Sequence, residues 1–350
     1  MNTEAYVTLS ETSPFELTPL RLRPVGPTEV RVKFTCCGLC HTDHHMAVND
    51  WKITTYPVVP GHEGVGVVAE KGAAVRSLEV GDKVGVGWIS GSCEGCPKCL
   101  KGEENICGSG YNGTYLGENN MGGCFAREQV VNSRFSYKIP KGLPHAVAAP
   151  LLCAGITVYS PLRKFVQANM SVGIISVGGL GHLAVQFAKA MGAEVTVFST
   201  STRKEGEARS FGASKFVVTK DPEQMKAATG TCDVILNCCP YKIDLDPFVD
   251  CLATDGVLVF LGIPENDSSD IKIDLYKLIF SQRTLAGSIV GGSRYMVEMF
   301  EFALKHRIVP SVQCVPFESI NDTVVKLLKG EMDGFYRFVL CWDSSDSLEA

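Results

Sequence analysis

The sequence predicts an α/β protein with two domains, one rich in β-strands and one built on a doubly wound parallel sheet. Its 350 residues correspond to about two domains of average size. In the first third, short runs rich in Val and Ile are broken by Gly and Pro, which is typical of a small barrel or sandwich. From about residue 148, continuous apolar runs alternate with helix-length segments, which is typical of a parallel sheet covered by helices on both faces.

The individual elements follow from the same runs. In the β-rich part, strands are predicted at residues 29–34, 64–69 and 82–86. In the second part, a strand, a helix and a strand are predicted at residues 172–177, 180–191 and 194–198, followed by strands at 233–236 and 257–260. The last 60 residues predict helices at 296–305 and 320–328 and a strand at 336–340, and we expect this segment to fold back onto the first domain.

Composition and charge exclude several classes of partner. The chain has 33 basic and 38 acidic residues and no basic block, which disfavours a nucleic-acid partner. No apolar run reaches the 18 or more residues of a membrane span, so we expect no membrane contact. The N-terminus lacks the basic and apolar regions of a secretory signal, and the expected location is the cytoplasm.

Four of the 15 cysteines lie close together at residues 93, 96, 99 and 107. Disulfides are rare in the cytosol, so crowded thiols in such a protein indicate a metal site. Four thiolates on a short loop suit a closed, structural zinc site. An iron–sulfur cluster is the alternative. In the bacterial ferredoxin run, three residues precede the last cysteine and a proline follows it. Here seven residues separate Cys99 from Cys107, and Gly108 follows. The spacing therefore favours zinc bound by Cys93, Cys96, Cys99 and Cys107.

A second set of metal-ligand types lies between residues 40 and 63. Cys40 and His62 supply a thiolate and an imidazole, whereas a catalytic zinc has about three protein ligands and one open position. Asp43 or Glu63 could orient a ligand or reach the metal. Three of the seven histidines fall within residues 41–45, and this clustering favours a site over isolated structural side chains.

A glycine-rich turn follows the predicted strand at 172–177. Set against G-x-G-x-x-G, the register places Ser176, Gly178 and Gly181 at the three glycine positions, so serine replaces the first glycine. Gly178 lets the backbone approach a pyrophosphate, and Gly181 lets the helix pack closely on the strand. Strand, turn and helix follow in the order of a dinucleotide-binding unit, and the turn predicts such a cofactor.

The loop after the second strand predicts which dinucleotide is bound. An NAD enzyme carries Asp or Glu about 20 residues after the turn, to bind the ribose. Here the loop has hydroxyls and two cations, and its first carboxylate is Glu205. This composition suits the 2′-phosphate of NADP(H). The candidate ligands are Ser199, Thr200, Ser201, Arg203 and Lys204.

Taken together, the motifs resemble those of the zinc-dependent medium-chain alcohol dehydrogenases. The motifs, in family order, are residues 38–43, 60–63, the four-cysteine segment, 151–156 and 178–182. They are most similar to the branch that resembles cinnamyl alcohol dehydrogenase. The resemblance implies a GroES-like catalytic domain at residues 1–150 and 290–350, with its structural zinc lobe at 90–110. It also implies a Rossmann domain at residues 151–289 and a homodimer.

The resemblance assigns site residues that spacing alone does not. It makes Cys40, His62 and Cys153 ligands of a catalytic zinc, with Glu63 as an occasional fourth, so that the chain holds two Zn²⁺. Thr42 and His45 become the two ends of a proton relay, and Asp43 lies near the metal. Further cofactor contacts are implied at His41, Thr42, Val177, Gly179, Leu180, Cys238, Gly262, Ser288, Ile289 and Val290.

The sequence thus predicts an NADP-dependent enzyme that interconverts a small-molecule aldehyde and a primary alcohol, whether aromatic, allylic or aliphatic. A polyol dehydrogenase of the same fold is one alternative, although such enzymes usually favour NAD. A zinc-free quinone reductase conflicts with the intact ligand set. A non-enzymatic zinc and NADPH binder, acting as a redox sensor, would explain the surplus thiols but gives the proton relay no role.

Overall fold

The computed structural model describes residues 2–262 and 272–342. The predicted segment 290–350 therefore ends, from residue 343, outside the described residues. The strands are β1 (Asn2–Val7), β2 (Glu16–Arg21), β3 (Glu29–Leu39), β4 (Gly64–Lys71), β5 (Lys83–Val86), β6 (Ile89–Ser92), β7 (Tyr111–Gly113), β8 (Glu128–Asn132), β9 (Ser136–Lys138), β10 (Ser171–Ile175), β11 (Glu194–Ser199), β12 (Lys215–Val218), β13 (Cys232–Asn237), β14 (Leu252–Phe260), β15 (Thr284–Gly287), β16 (Val312–Pro316) and β17 (Arg337–Cys341).

The helices are mostly short. They are α1 (His41–Ala47), α2 (Pro97–Leu100), α3 (His145–Pro150), α4 (Ile156–Phe165), α5 (Gly181–Ala190), α6 (Glu205–Ser210), α7 (Pro222–Ala227), α8 (Asp246–Cys251), α9 (Leu275–Ile279), α10 (Ser293–His306) and α11 (Ile320–Lys329). A π-helical turn, Leu151–Gly155, joins α3 to α4. This continuous stretch, residues 145–165, is long and apolar enough to cross a membrane, but 94% of its most apolar window is buried within the protein, as in a core helix.

The chain divides into two compact units, one formed by residues 1–153 with 291–350 and the other by residues 154–290. The first unit contains a seven-stranded sheet in the order β16-β17-β3-β4-β5-β9, with β8 also paired to β3. β17 pairs antiparallel with β3, Phe338 opposite Leu39. The C-terminal segment thus completes a sheet that begins near the N-terminus.

Strand β3 lies at the centre of this sheet, where it pairs with β17, β4 and β8, and its residues alternate in burial over most of its length. Val30, Val32 and Phe34 point into the apolar core, and the intervening residues are more exposed. From Cys36 onwards every residue is buried, and the strand leads directly to Cys40 at the start of α1. The buried end of β3 therefore fixes the position of α1 and its polar side chains.

The second unit contains a six-stranded sheet in the order β12-β11-β10-β13-β14-β15, and every pairing is parallel. Helix α5 connects β10 to β11 and packs on both. Its residues Leu183, Ala184 and Phe187 are fully buried, as the apolar face of the helix predicts. The predicted fold class, a β-rich unit and a doubly wound α/β unit, is confirmed.

Candidate metal and cofactor sites

The four crowded cysteines form one tight cluster. The sulfur atoms of Cys93 and Cys107 lie 3.4 Å apart, those of Cys96 and Cys99 3.5 Å, those of Cys93 and Cys99 3.8 Å, and those of Cys96 and Cys107 4.0 Å. All four thiols are free. A tetrahedral zinc site with Zn–S bonds of about 2.3 Å has edges of about 3.8 Å. The spacing of these sulfurs therefore fits one zinc ion.

The backbone of this loop stabilises thiolates. The N–H groups of Gly95 and Cys96 donate hydrogen bonds to Cys93 and lower the pKa of its thiol. The N–H groups of Cys99 and Gly108 likewise lower the pKa of Cys96 to about 6. Burial has the opposite effect on Cys99 and raises its pKa to about 11. A bound cation would offset this effect of burial on Cys99, because metal binding releases the thiol proton.

A buried carboxylate ties the cysteine loop to the rest of its unit. Glu104 lies between Cys99 and Cys107 and is fully buried. It accepts hydrogen bonds from the backbone N–H and the hydroxyl of Ser293, at 2.8 and 2.7 Å, and from Arg134 at 3.0 Å. Glu104 thereby links the loop to the first turn of α10.

A second cluster is formed by Cys40, His62, Glu63 and Cys153. One ligand atom from each lies within 4.8 Å of the others, and all four residues are buried. Cys40 precedes α1, His62 and Glu63 precede β4, and Cys153 lies in the π-helical turn. His62 Nε2 and Cys153 Sγ are 3.2 Å apart. Two thiols, an imidazole and a carboxylate at these distances are a donor set suited to zinc.

Asp43 positions this second cluster. Its side chain is fully buried and accepts four hydrogen bonds. His62 Nδ1 and the Tyr115 hydroxyl donate to Oδ1 at 2.9 and 2.7 Å, as does the N–H of Gly61 at 3.0 Å, and the N–H of Cys40 donates to Oδ2 at 2.9 Å. Because Asp43 accepts a hydrogen bond from Nδ1, His62 directs Nε2 toward the other ligands.

The same carboxylate changes the protonation of His62. Burial lowers the pKa of His62, but the charge of Asp43 and its hydrogen bond raise it well above the ordinary value. For Cys40, a hydrogen bond from Cys153 and the charge of Arg337 lower the thiol pKa well below the ordinary value. A metal at Nε2 and Sγ would replace the remaining protons.

Glu63 and Arg337 form a buried ion pair next to the ligands. Arg337 Nη2 lies 3.3 Å from Glu63 Oε1, and Nη1 donates to the carbonyl of Leu39 at 3.2 Å. Burial raises the pKa of Glu63 to about 8 although Arg337 lowers it. Neither carboxylate oxygen has a hydrogen-bond partner among the described residues. A Cβ at Gly38 would lie 1.9 Å from Glu63 Oε2, so glycine there makes room for this carboxylate.

Helix α1 carries the predicted relay residues. Thr42 and His45 are three residues apart and therefore lie on one face of the helix. His45 is buried, and its Nδ1 lies 2.7 Å from Asp50 Oδ2. The ring of Trp51 stacks on His45 with centroids 5.1 Å apart. Asp50 thus extends the predicted pair, and only its position five residues after His45 could have indicated this contact from the sequence. His41, at the start of α1, is half-buried.

The predicted cofactor contacts of the second unit lie at one edge of its sheet. They lie at the carboxyl ends of parallel strands: Ser176 follows β10, Ser199 ends β11 and the predicted loop follows it, Cys238 follows β13, Gly262 comes after β14, and Ser288 follows β15. In open α/β sheets, ligands bind in the crevice outside these ends, where the strand order reverses. Here the order reverses at β10, which has β11 on one side and β13 on the other.

The glycine turn has the expected packing. A Cβ at Gly181 would lie 1.9 Å from the carbonyl oxygen of Ser176, so only glycine fits there. A Cβ at Gly178 would meet no atom within 4 Å, so the protein itself does not require glycine at that position. Open space against the backbone at Gly178 is what a cofactor pyrophosphate would fill. Val177 is buried, and Gly179 and Leu180 are partly exposed.

The two cations of the following loop differ in their surroundings. Lys204 Nζ donates to the carbonyl of Val177 at 2.7 Å, so this side chain braces the glycine turn. Arg203 is exposed, and its guanidinium has no ion-pair partner among the described residues. Arg203 is therefore the cation better placed to accept a phosphate.

Comparison with known proteins identifies the family. Residues 26–141 match the alcohol dehydrogenase GroES-like domain, and residues 179–305 match the zinc-binding dehydrogenase family. Vomilenine reductase of Rauvolfia serpentina is 43% identical over 91% of this chain and 89% of its own length. The chain belongs to the zinc-dependent medium-chain alcohol dehydrogenases.

Solved structures of this alcohol dehydrogenase family agree along the whole chain. Cinnamyl alcohol dehydrogenase SbCAD4 of Sorghum bicolor is 35% identical with a TM-score of 0.90, and 100% of both chains is covered. A CAD from Helicobacter pylori, solved with NADP(H), is 32% identical with a TM-score of 0.89 over 99% of both chains. The resemblance inferred from the motifs, including its branch, is confirmed, and the chain is an alcohol dehydrogenase.

Proposed function

We propose that this protein is an NADP-dependent zinc alcohol dehydrogenase that reduces an aldehyde to a primary alcohol, or oxidises the alcohol. The observation that carries the proposal is the buried cluster of Cys40, His62, Glu63 and Cys153. Its donor atoms suit zinc, and neither oxygen of Glu63 accepts a hydrogen bond that would compete with a cation. The four-cysteine loop would hold a second, structural zinc, because its sulfurs already have tetrahedral spacing.

When bound, zinc supplies Lewis acidity at the substrate oxygen and NADPH supplies the hydride. The chain's own residues bind, orient and move protons. Asp43 holds His62 in one tautomer and one orientation. The ion pair of Glu63 and Arg337 places a buried positive and a buried negative charge next to the ligands. We propose that the hydroxyl of Thr42 hydrogen-bonds the substrate oxygen and that His45, held by Asp50, exchanges the proton with solvent.

Two tryptophans next to the site favour a flat, apolar substrate. Trp88 packs edge-on against His62 with centroids 5.4 Å apart, and Trp51 stacks on His45. Both are partly exposed and pack against a small apolar cluster that includes Met46 and Tyr115. Aromatic walls beside the polar ligands suit an aromatic or allylic aldehyde better than a polyol, whose hydroxyls would lose hydrogen bonds there.

The test of this proposal is a substrate panel with NADPH, run on protein whose zinc content has been measured. The panel contains cinnamaldehyde, benzaldehyde, hexanal and a sugar alcohol. Reduction of the aldehydes by protein containing two zinc ions per chain supports the proposal. Preferential oxidation of the sugar alcohol would favour the polyol alternative, and absence of turnover across the panel would favour a non-enzymatic binder.

The cofactor preference has its own prediction. We expect kcat/KM to favour NADPH over NADH, and the substitution Arg203→Ala to narrow that preference by about ten-fold, because it removes a charged hydrogen bond to the 2′-phosphate. Lys204→Ala is the matched control. This variant should loosen the glycine turn, which Lys204 braces through Val177, and should therefore weaken the binding of both NADPH and NADH. Equal efficiency with both cofactors in the parent protein would refute NADP dependence.

We also propose that the protein is a homodimer joined through the edge of the six-stranded sheet. β15 ends the sheet, and no described strand pairs with its outer side. In the segment that precedes β15 in the chain, four apolar residues are 65–80% exposed: Leu275, Tyr276, Ile279 and Phe280. An unpaired strand edge beside an exposed apolar patch is a feature that soluble proteins usually cover.

The oligomeric prediction uses one charge placed in this patch. We expect Phe280→Glu to convert the dimer to a monomer in light scattering, because it buries a carboxylate in an apolar interface. Val297→Glu is the control, since Val297 is an exposed apolar residue on α10, outside the patch. A parent protein that is already monomeric, or a dimer that both variants leave intact, would contradict this interface.

A further inference from the structure

We propose that the hydroxyl of Ser176 is a direct ligand of the cofactor pyrophosphate and that this role explains a strained serine in the glycine turn. The inference rests on the proposed function, since it assumes that the chain binds NADP(H). In the G-x-G-x-x-G motif the first glycine forms the tight turn. This chain has a side chain at that position, and the structure indicates what the side chain does.

Ser176 lies at the point of the sheet where a dinucleotide binds. It is the first residue after β10, the strand at which the sheet order reverses. Its N–H donates to the carbonyl of Phe198 in β11 at 3.0 Å, and the N–H of Cys238 donates to the carbonyl of Ile175 at 3.2 Å. The backbone of Ser176 is therefore held between the ends of two neighbouring strands.

The backbone of Ser176 has a conformation that favours glycine. Its φ is +73°, in the left-handed region, where an L-residue is less stable than glycine. The hydrogen bond from its N–H to Phe198 holds this backbone, and its carbonyl oxygen packs so closely on Gly181 that a Cβ there would lie 1.9 Å away. Glycine would fit here with less strain, so the stability of the fold does not explain the serine.

The hydroxyl of Ser176 is free to bind a ligand. The side chain is partly exposed, and its oxygen has no hydrogen-bond partner among the described residues. Two residues further on, the space around Gly178 is open to 4 Å. A hydroxyl that donates to a phosphate oxygen makes a short, charge-assisted hydrogen bond. Serine thus adds a donor to the turn that glycine lacks, at the cost of strain in the cofactor-free protein.

The experiment compares Ser176→Gly and Ser176→Ala in the full-length protein. Both remove the hydroxyl, and only glycine also relieves the strain. We expect both variants to bind NADPH about ten-fold more weakly in a fluorescence titration without substrate. We expect the cofactor-free glycine variant to melt about 2 °C higher than the parent, and the alanine variant to melt within about 1 °C of it.

Adenosine 2′-monophosphate shows which part of the cofactor Ser176 contacts. It carries the 2′-phosphate but no pyrophosphate, so both Ser176 variants should bind it as the parent does. Arg203→Ala is the matched control and should weaken this probe. If Ser176→Gly binds NADPH as tightly as the parent, or if the Ser176 variants lose the probe and NADPH equally, the inference is overturned. Absence of NADPH binding by the parent would instead overturn the cofactor assignment, and this inference with it.

Discussion

The substitution His62→Ala should lower kcat/KM for aldehyde reduction by about 10³-fold or more and reduce the zinc content from two ions per chain to one. Zinc bound at this site would stabilise the transition state by several kcal/mol, and each 1.36 kcal/mol corresponds to a factor of ten in rate. The substitution removes a ligand and leaves Asp43 and Tyr115 without their imidazole partner. NADPH affinity should change little, because most of the predicted dinucleotide contacts lie at the strand ends of the other unit.

The control for His62→Ala is Cys36→Ala. Cys36 is a fully buried thiol on β3, and it belongs to neither of the two metal-ligand clusters. This variant should keep both zinc ions and nearly parental turnover while losing some stability through a small cavity. Metal analysis, NADPH titration and turnover on the same preparations separate the two effects. Parental activity in the His62 variant would show that the cluster is not the catalytic site.

The parts of the molecule that sequence reasoning could predict are local in the chain. The four cysteines of the proposed structural zinc site lie within 15 residues, and the glycine turn lies between a strand and a helix that are both visible as patterns. The alternation of strands and helices likewise predicts a parallel sheet, because each βαβ unit is continuous in sequence. Such features need no knowledge of how distant segments meet.

The parts that spacing could not predict depend on contacts between distant segments. Cys153 lies 91 residues after His62, yet their ligand atoms are 3.2 Å apart, and only the family resemblance pointed to it. Arg337 reaches Glu63 because β17 pairs with β3 across nearly the whole chain. Tyr115 contacts Asp43 from a loop that has no pattern of its own. In each case the tertiary fold, rather than local sequence, brings the groups together.

The second large effect is expected at the structural site. Cys99→Ser should remove one zinc ion and lower the melting temperature by roughly 10 °C, because loss of a structural metal removes several kcal/mol and each kcal/mol shifts Tm by about 2–4 °C. The loop has little apolar packing of its own, since Leu100 is 73% and Ile106 47% exposed. We therefore expect its shape to depend on a bound zinc ion and on the contacts of Glu104. Thermal melts and metal analysis measure both quantities.

The control is Cys314→Ser, a thiol on β16 outside both clusters, which should keep two zinc ions and melt near the parent. The folded fraction of the Cys99 variant should still reduce aldehydes at low temperature, because the ligands of the second cluster are untouched. A variant that keeps two ions and the parental Tm would contradict the structural role.

The two substitutions therefore have opposite signatures: His62→Ala removes turnover with a modest loss of stability, and Cys99→Ser removes stability while the intact molecules still turn over. Only two metal sites with different functions produce both results in one chain.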